Sequence, residues 1–177
     1  MGFMRLHRLT YPLVWLSRIH RCWGFGIQSP TDYAFVREVI NEHGLYYAYE
    51  TLTGDDWLTR KLGRLYLRLA NWRRPSAMPP DRYQRYWQAG SRQTRFTAQL
   101  ERVELARIDI EDQEQLERLL PLCDERSVIV VEGIHRRWDL WQAIVQDSRT
   151  GTTFDLYYCG IVFFDKQRYH HHYKINF

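Results

Sequence analysis

The chain has 177 residues, a length that suits one compact domain with an appended arm and is too short for two independent catalytic domains. Its composition is 45% hydrophobic and 26% charged, with 10 glycines and 6 prolines spread along the chain, which excludes a disordered or collagen-like protein. The formal net charge is +4, but residues 1–90 carry +6 (13 Lys and Arg against 7 Asp and Glu) and residues 91–177 carry −2 (12 against 14). An acidic partner, such as RNA or an anionic surface, is therefore expected to contact the first half of the chain.

The cysteines and the first ten residues give indications of the cellular location. Cys22, Cys123 and Cys159 are an odd number at wide spacing, so they indicate neither a disulfide framework nor a CxxC metal site. Residues 1–10 mix basic and apolar side chains, and no apolar run approaches the roughly 20 residues that a membrane span needs. We predict a cytoplasmic protein without a signal peptide or a transmembrane helix.

Three helices are predicted in the first 72 residues. The first begins at Pro12 and runs to Trp23, and the second is capped by Ser29 and stopped by Gly44. The third opens after Gly54 with leucines at helical spacing. Its other side carries four basic residues: Arg60, Lys61, Arg64 and Arg68. Such a stripe is typical of a solvated helix face and, secondarily, of a nucleic-acid footprint.

The pattern changes after residue 72. We predict an N-terminal helical cap over residues 1–72, a linker over 73–82, where prolines prevent a helix or a central strand, and an α/β domain over 83–177. Within that domain the predicted order is a strand at 83–89, a helix at 95–103, a strand at 105–110, a helix from Asp112, a strand at 127–132, a helix at 138–145, and strands at 152–158, 161–164 and 171–177.

The strand at 127–132 is apolar on both faces, which is typical of a parallel strand buried under two helix layers. An alternation of strands and helices that ends in successive strands predicts a three-layer α/β sandwich. Its sheet would be reduced in size and mostly parallel, and it would end in antiparallel strands.

Four segments carry a resemblance to a known family. They are GFGIQSP at 24–30, YYAYE at 46–50, SVIVVEGIH at 127–135 and FDLYYCGIVFF at 154–164. Together they resemble a bacterial subgroup of class I S-adenosylmethionine-dependent methyltransferase-like proteins, in which an N-terminal helical cap precedes a Rossmann-like sheet. The resemblance implies a Rossmann-like fold and S-adenosylmethionine as the cofactor of an active member.

The resemblance also implies site residues. A Rossmann-type site needs a glycine-rich turn after its first strand and acids at strand ends. The candidates by position are Gly90, Ser91, Asp109 and Glu132 for the cofactor, His135 for catalysis as a general base, and Gly26, Gln28 and Ser29 for the substrate. Glu132 also fits a plain strand end, and His135 also fits a residue that opens a helix.

A stretch that the family requires is missing. Between Gly90 and the strand that carries Asp109 there is room for one short helix only. Family members place two further strands there, and each parallel crossover needs about a dozen residues or more. The acid that would accept the ribose hydroxyls is therefore predicted to be absent.

Three functions follow from these observations. The first is a methyltransferase-like protein that has lost S-adenosylmethionine binding and acts as a non-catalytic binding or scaffolding subunit, paired with a full-length relative or with a second copy. The second is an active methyltransferase with a rearranged pocket. The third is an RNA-binding protein that uses Arg60, Arg64 and Arg68. No cofactor is expected under the first function. No metal is expected under any of the three functions, because His170 and His172 would share a strand face but the sequence places no third ligand beside them.

Overall fold

The computed structural model describes residues 11–24, 26–166 and 170–177. It divides the chain into two compact units, each built from separate segments. The helical unit comprises Met1–Arg74, Arg82–Gln93 and Ile175–Phe177, and the sheet unit comprises Pro75–Asp81 and Thr94–Lys174. Residues 1–10, for which the sequence predicted no signal peptide, lie outside the described residues. Phe25, in the segment 24–30 that carries part of the resemblance, also lies outside them.

The helical unit begins with helix α1 over residues 11–17 and the 3₁₀ helix Ile19–Gly24. Helix α2, Pro30–Phe35, follows, and the side chain of Ser29 accepts a hydrogen bond from the backbone N–H of Asp32 at 3.3 Å, which confirms the predicted cap. The chain then widens into the π-helix Val36–Ile40. The helical run therefore ends at Ile40. The sequence predicted that it would continue as far as His43, the residue before the stop at Gly44.

Helix α3, Ala48–Thr51, is one short turn, and helix α4, Trp57–Arg73, is the longest described helix of the unit. The carboxylate of Asp56 caps α4 by accepting from the N–H groups of Leu58 and Thr59 at 3.0 and 3.2 Å. α4 runs to Arg73, and the left-handed residue Arg74 ends it. A start one turn after Gly54 agrees with the predicted third helix.

Helix α5, Gln84–Gly90, stands where the sequence predicted a strand at 83–89, and that prediction is wrong. The side chains of Tyr83, Tyr86 and Trp87 are buried, at the three- and four-residue spacing of one helix face. Tyr66 of α4 stacks on Trp87 with ring centroids 4.7 Å apart and meets the edge of Tyr83 at the same distance. Packing on α4 therefore selects a helix for this aromatic segment.

The sheet unit begins within the predicted linker. Strand β1, Ala77–Met78, pairs in parallel with strand β2, Arg95–Phe96. The helix predicted at 95–103 is wrong, because the N–H of Arg95 donates to Ser76 and the N–H of Thr97 donates to Met78 in this small sheet. The predicted division of the chain at 73–82 also differs from the observed units, since residues 82–93 return to the helical unit.

Among the described residues, five strands form the main sheet. They are β3 Val103–Asp109, β4 Cys123–Glu132, β5 Thr153–Asp155, β6 Cys159–Phe163 and β7 His172–Lys174. Their order is β3-β4-β6-β5-β7. β3 is parallel to β4 and β5 is parallel to β7, whereas β6 is antiparallel to both neighbours. The predicted antiparallel strands are present, but the sheet is mixed rather than mostly parallel.

Helices α6, Gln113–Leu119, and α7, Trp138–Gln146, occupy the predicted positions. The side chain of Asp112 caps α6 by accepting from the N–H of Gln115 at 3.0 Å. Both helices pack on one face of the sheet around the buried side chains of Leu116, Ile129, Val131 and Trp141. The chain is therefore a mixed α/β protein with a partly parallel sheet.

Candidate functional site

The carboxyl ends of β3 and β4 lie side by side in the sheet unit. Asp109 and Glu132, the last residues of these parallel strands, are partners in the strand register. On the other side of β4, Glu132 pairs with Cys159, where β6 begins. This edge of an α/β sheet is where ligands commonly bind. The strand-edge site is defined by five residues at this place: Asp109, Glu132, His135, Arg136 and Tyr157.

Glu132 belongs to a buried ionic cluster. The Nη1 atom of Arg107 donates to Oε2 of Glu132 at 3.1 Å, and Nε of Arg107 donates to Oδ2 of Asp81 at 3.0 Å. The side chains of Arg107, Asp81 and Glu132 are 12%, 10% and 6% exposed. A bond with a guanidinium in a desolvated place is a strong, charge-assisted one. The carboxylate of Glu132 is therefore held by a cation of its own chain.

Asp109 also pairs with an arginine, but both side chains of this pair are partly exposed. Oδ1 of Asp109 accepts hydrogen bonds from Nη2 of Arg136 and, at 3.1 Å, from the backbone N–H of Glu111. Burial raises the pKa of Asp109, but these two bonds and the charge of Arg136 outweigh burial, so that the net pKa lies below its usual value. Asp109 is thus a carboxylate at neutral pH, and it forms an ion pair with Arg136.

The turn that brings Arg136 back to Asp109 depends on Gly133. Gly133 has a φ of +82°, a conformation that glycine adopts readily, and its N–H donates to the carbonyl of Tyr158 at 2.7 Å. The N–H of Arg136 then donates to the carbonyl of Gly133 at 2.9 Å and closes the turn. A Cβ at position 133 would collide with the Arg136 guanidinium. The glycine therefore places an arginine over the strand ends.

His135 lies in an aromatic setting. Its ring stacks on Tyr157 with centroids 5.2 Å apart and meets the edge of Tyr158 at 5.3 Å. Tyr157 has a φ of +71°, which is uncommon for a residue with a side chain. The carboxylate of Asp155 supports this turn by accepting from the N–H of Tyr157 at 2.8 Å. His135 follows Glu132 by three residues and packs against two tyrosine rings, and its role as a general base stays a prediction.

Gly90 and Ser91 lie in the helical unit, whereas Asp109 and Glu132 lie in the sheet unit. Gly90 is the last residue of α5, so the predicted turn after a strand is instead the end of a helix. A Cβ at Gly90 would collide with the backbone carbonyl of Leu67 in α4. The glycine therefore permits close packing of α5 on α4, and its backbone faces protein rather than a phosphate or an adenosine.

The three predicted substrate residues form the loop before α2 in the helical unit. Gly26 has a φ of +87°, and a Cβ there would meet nothing within 4 Å. Gln28 is exposed, and Ser29 caps α2. Their geometry is that of a glycine turn followed by a helix cap.

The basic stripe on α4 is not uniformly exposed. Arg60 and Arg64 are exposed, but Arg68 is buried, and its guanidinium donates to the carbonyls of Val39 and Ile40 at 2.6 and 2.9 Å. The predicted RNA footprint of three solvent-facing arginines is therefore wrong at Arg68. A buried cation with local backbone acceptors shapes the fold of its own unit.

The histidines near β7 have neighbours of their own. Nδ1 of His170 lies 3.1 Å from the carbonyl of Thr150, and Nδ1 of His172 lies 2.9 Å from Oγ1 of Thr153. Within residues 11–24, 26–166 and 170–177, no group of three His, Cys, Asp or Glu side chains is arranged to hold a metal ion.

Sequence reasoning missed three residues that decide the chemistry of this edge. Arg107, Arg136 and Tyr157 were not predicted as site residues, although Arg107 is a charged residue within an alternating strand and Arg136 follows GIH directly. A charge inside an apolar strand indicates a buried partner. The sequence alone did not identify Asp81 as one such partner, because 26 residues separate it from Arg107.

Comparison of the chain with protein-family models, with curated proteins and with solved structures found no match. Among the helices of the described residues, none has the length and apolar character to cross a membrane.

Proposed function

We propose that the chain is a shortened relative of the class I S-adenosylmethionine-dependent methyltransferase-like proteins and acts as a binding or scaffolding subunit without catalysis. One observation carries this proposal: both carboxylates predicted to contact the cofactor already hold arginines of the same chain, Asp109 through Arg136 and Glu132 through Arg107. A carboxylate occupied in this way offers less to a ribose than an open one does.

The energies involved support the loss of the cofactor. A hydrogen bond to a charged group contributes about 1.5–3 kcal/mol. Breaking a buried ion pair by removing one partner costs about 3–5 kcal/mol. If a ribose displaced Arg107 from Glu132, the free energy lost with the ion pair would thus be about as large as the free energy gained from the hydrogen bonds of the ribose hydroxyls. The exchange leaves little net free energy for binding.

The sheet supports the proposed relationship. The parallel pair β3–β4 is followed by the antiparallel strand β6, as the order of strands and helices predicted for a sheet that ends in antiparallel strands. α6 and α7 cover one face. A Rossmann-like three-layer sandwich, reduced in strand number, is the architecture that we propose for this family relationship.

A partner protein is part of the proposal. Leu45 and Tyr47 of the helical unit are 96% and 94% exposed. Exposed apolar side chains close together in the chain favour a protein contact, with a second copy or a full-length relative as the partner. We also propose a reducing, cytoplasmic location, because Cys123 and Cys159 are both free thiols.

Isothermal titration with S-adenosylmethionine and S-adenosylhomocysteine tests the proposal. We expect no binding tighter than about 100 μM, which corresponds to roughly −5.5 kcal/mol. Glu132→Gln and, as a control at an exposed carboxylate of α6, Glu114→Gln are titrated alongside. Tight binding by the unmodified chain and by the Glu114 variant, but not by the Glu132 variant, would establish the alternative, an active methyltransferase with a rearranged pocket.

A further inference from the structure

The helical unit contains a cleft of about 940 Å³ that is separate from the strand-edge site. One wall is a single face of α4, where Trp57, Lys61, Arg64 and Arg68 follow each other at spacings of four, three and four residues. Tyr49 and the loop before α3 line the other side. The volume falls within the range of about 300–1,000 Å³ that small-molecule sites occupy. This concavity is named the helical cleft.

Arg68 gives the helical cleft a buried positive charge. Its side chain is nine-tenths buried, with 7% of the residue exposed. Its three hydrogen bonds go to neutral acceptors: the carbonyls of Val39 and Ile40 and, at 3.2 Å, the hydroxyl of Tyr49. Burying a charge is costly, and neutral acceptors compensate it less than an anion does. An anion near Arg68 would therefore be favoured.

Two further arginines extend this charge toward solvent. Arg64 is exposed, and its guanidinium lies over the ring of Tyr49 at 4.6 Å from the centroid. Arg60 is exposed one turn away. Within the described part of the chain, no carboxylate lies within 4.0 Å of the guanidinium nitrogens of Arg60, Arg64 or Arg68. The cleft thus has cations that are not neutralised by direct ion pairs.

Aromatic rings stand beside these cations. Nζ of Lys61 lies 4.1 Å from the ring centroid of Phe177, 4.9 Å from that of Tyr11 and 5.7 Å from that of Trp57. Rings and guanidinium planes are the surfaces on which flat heterocycles stack. An arginine over Tyr49 and a tryptophan at the start of α4 provide such surfaces in the same cleft.

Hydrogen-bond acceptors complete the lining. The carboxylates of Glu42 and Glu50 line the helical cleft. Glu42 accepts from the hydroxyl of Tyr46 at 2.6 Å, and burial, followed by this bond, raises the pKa of Tyr46 to about 12. Carboxylates can accept hydrogen bonds from the hydroxyl and amino groups of a ligand.

We propose that the helical cleft binds a nucleoside phosphate. Arg64 and Arg60 would contact the phosphate in the field of the buried Arg68, and the base would stack beside Trp57. A ligand with an anionic end, a flat ring and hydrogen-bond donors matches the three kinds of side chain that line the cleft. The cleft lies wholly within the helical unit, so this binding is independent of whether the strand-edge site has lost S-adenosylmethionine.

Titration of the full chain with adenosine monophosphate, followed by calorimetry and tryptophan fluorescence, tests the proposal. We expect a Kd below about 1 mM. Arg64→Gln should raise this Kd at least tenfold. The matched control is Arg92→Gln, an exposed arginine of the helical unit outside the cleft, which should change the Kd less than about twofold. Circular dichroism confirms that both variants fold.

Four further titrations probe the chemistry of the ligand. Inorganic phosphate and adenosine should each bind at least tenfold more weakly than adenosine monophosphate, and salt should weaken the binding as it screens the arginines. Trp57→Leu should reduce the preference for the nucleotide over inorganic phosphate.

Several results would overturn the proposal. They are no binding at about 10 mM nucleotide, equal losses in the Arg64 and Arg92 variants, equal binding of phosphate or adenosine, or no dependence on salt. Binding of a short oligoadenylate more than tenfold tighter than that of the mononucleotide would assign the cleft to RNA instead.

Discussion

Arg107, in the middle of β3, holds the buried carboxylate of Glu132 and the largely buried carboxylate of Asp81. Removing it would leave both acids desolvated without their cation. We expect Arg107→Met to lower the free energy of unfolding by about 3–5 kcal/mol, measured by urea denaturation.

The control for this substitution is Arg118→Met on α6, where the arginine is exposed. It should change the free energy of unfolding by less than about 0.5 kcal/mol. Adding Asp81→Asn and Glu132→Gln to the Arg107 variant should restore part of the loss, because the stranded charges are removed. An Arg107 variant as stable as the unmodified chain would contradict the ionic cluster.

At Asp109 the prediction concerns pH. Its pKa in the folded chain is depressed, so the carboxylate contributes stability in full above the ordinary value near 3.8, and this contribution is lost as pH falls through the folded pKa. The stability difference between the unmodified chain and Asp109→Asn should therefore be constant near neutral pH and shrink below about pH 4. Urea midpoints measured across this range give the result.

Arg136→Gln should reduce the stability that the chain loses below about pH 4. This substitution removes the hydrogen bond that Arg136 donates to Asp109. If the Arg136 variant keeps the full pH dependence, the pair is not its source.

At the scale of elements, the contact between α4 and α5 depends on two glycines. The ring of Tyr86 lies over Gly63 of α4, and the carbonyl of Leu67 lies against Gly90 of α5, so that a Cβ at either glycine would collide with the other helix. Helices approach this closely only where a side chain is missing. The two helices therefore pack as a matched pair.

Gly90→Ala should lower the free energy of unfolding by about 1–3 kcal/mol, because the new methyl group meets backbone that cannot move aside. This loss should exceed the gain of up to about 1 kcal/mol that alanine brings to a helix. Thermal and urea unfolding measure it. In the control, Gly44→Ala, the Cβ meets only the end of the Glu42 side chain and no backbone, and the change should be smaller. A stabilised Gly90 variant would show that α5 does not pack on α4 in this way.

Across the whole chain, both units are assembled from distant segments. Residues 175–177 belong to the helical unit, where the N–H of Asn176 donates to the carbonyl of Arg21, and its side chain donates to the carbonyl of Trp15, both at 3.3 Å. Ile175 is buried. The beginning of the described chain is thus tied to its last three residues.

A chain shortened by residues 175–177 should lose about 2–3 kcal/mol of stability from the buried isoleucine alone. Hydrogen exchange should rise in residues 11–24, which lose these contacts, while the amides of β3 and β4 keep their protection as an internal control. Equal exchange in residues 11–24 of both chains would contradict this assembly.

The sequence predicted some elements well and others wrongly for identifiable reasons. β3, α6 and α7 have clear periodicity, β4 has a continuous apolar run, and α6 also has a side-chain cap, so local signals suffice for them. The segment 83–89 is short and rich in aromatic residues, which favour strands, yet α4 offers Tyr66 for it to pack on as a helix. Its conformation was decided by a contact outside the segment.

For the site, the strand patterns together with the family resemblance were enough to propose Asp109 and Glu132 as acids at or near the ends of two strands. The partners of these acids could be assigned only from the folded chain. Arg107 reaches Asp81 and Glu132 across 26 and 25 residues of chain, and the Gly133 turn returns Arg136 to Asp109. Charge pairing of this kind depends on distance in space, and periodicity along a chain contains no information about it.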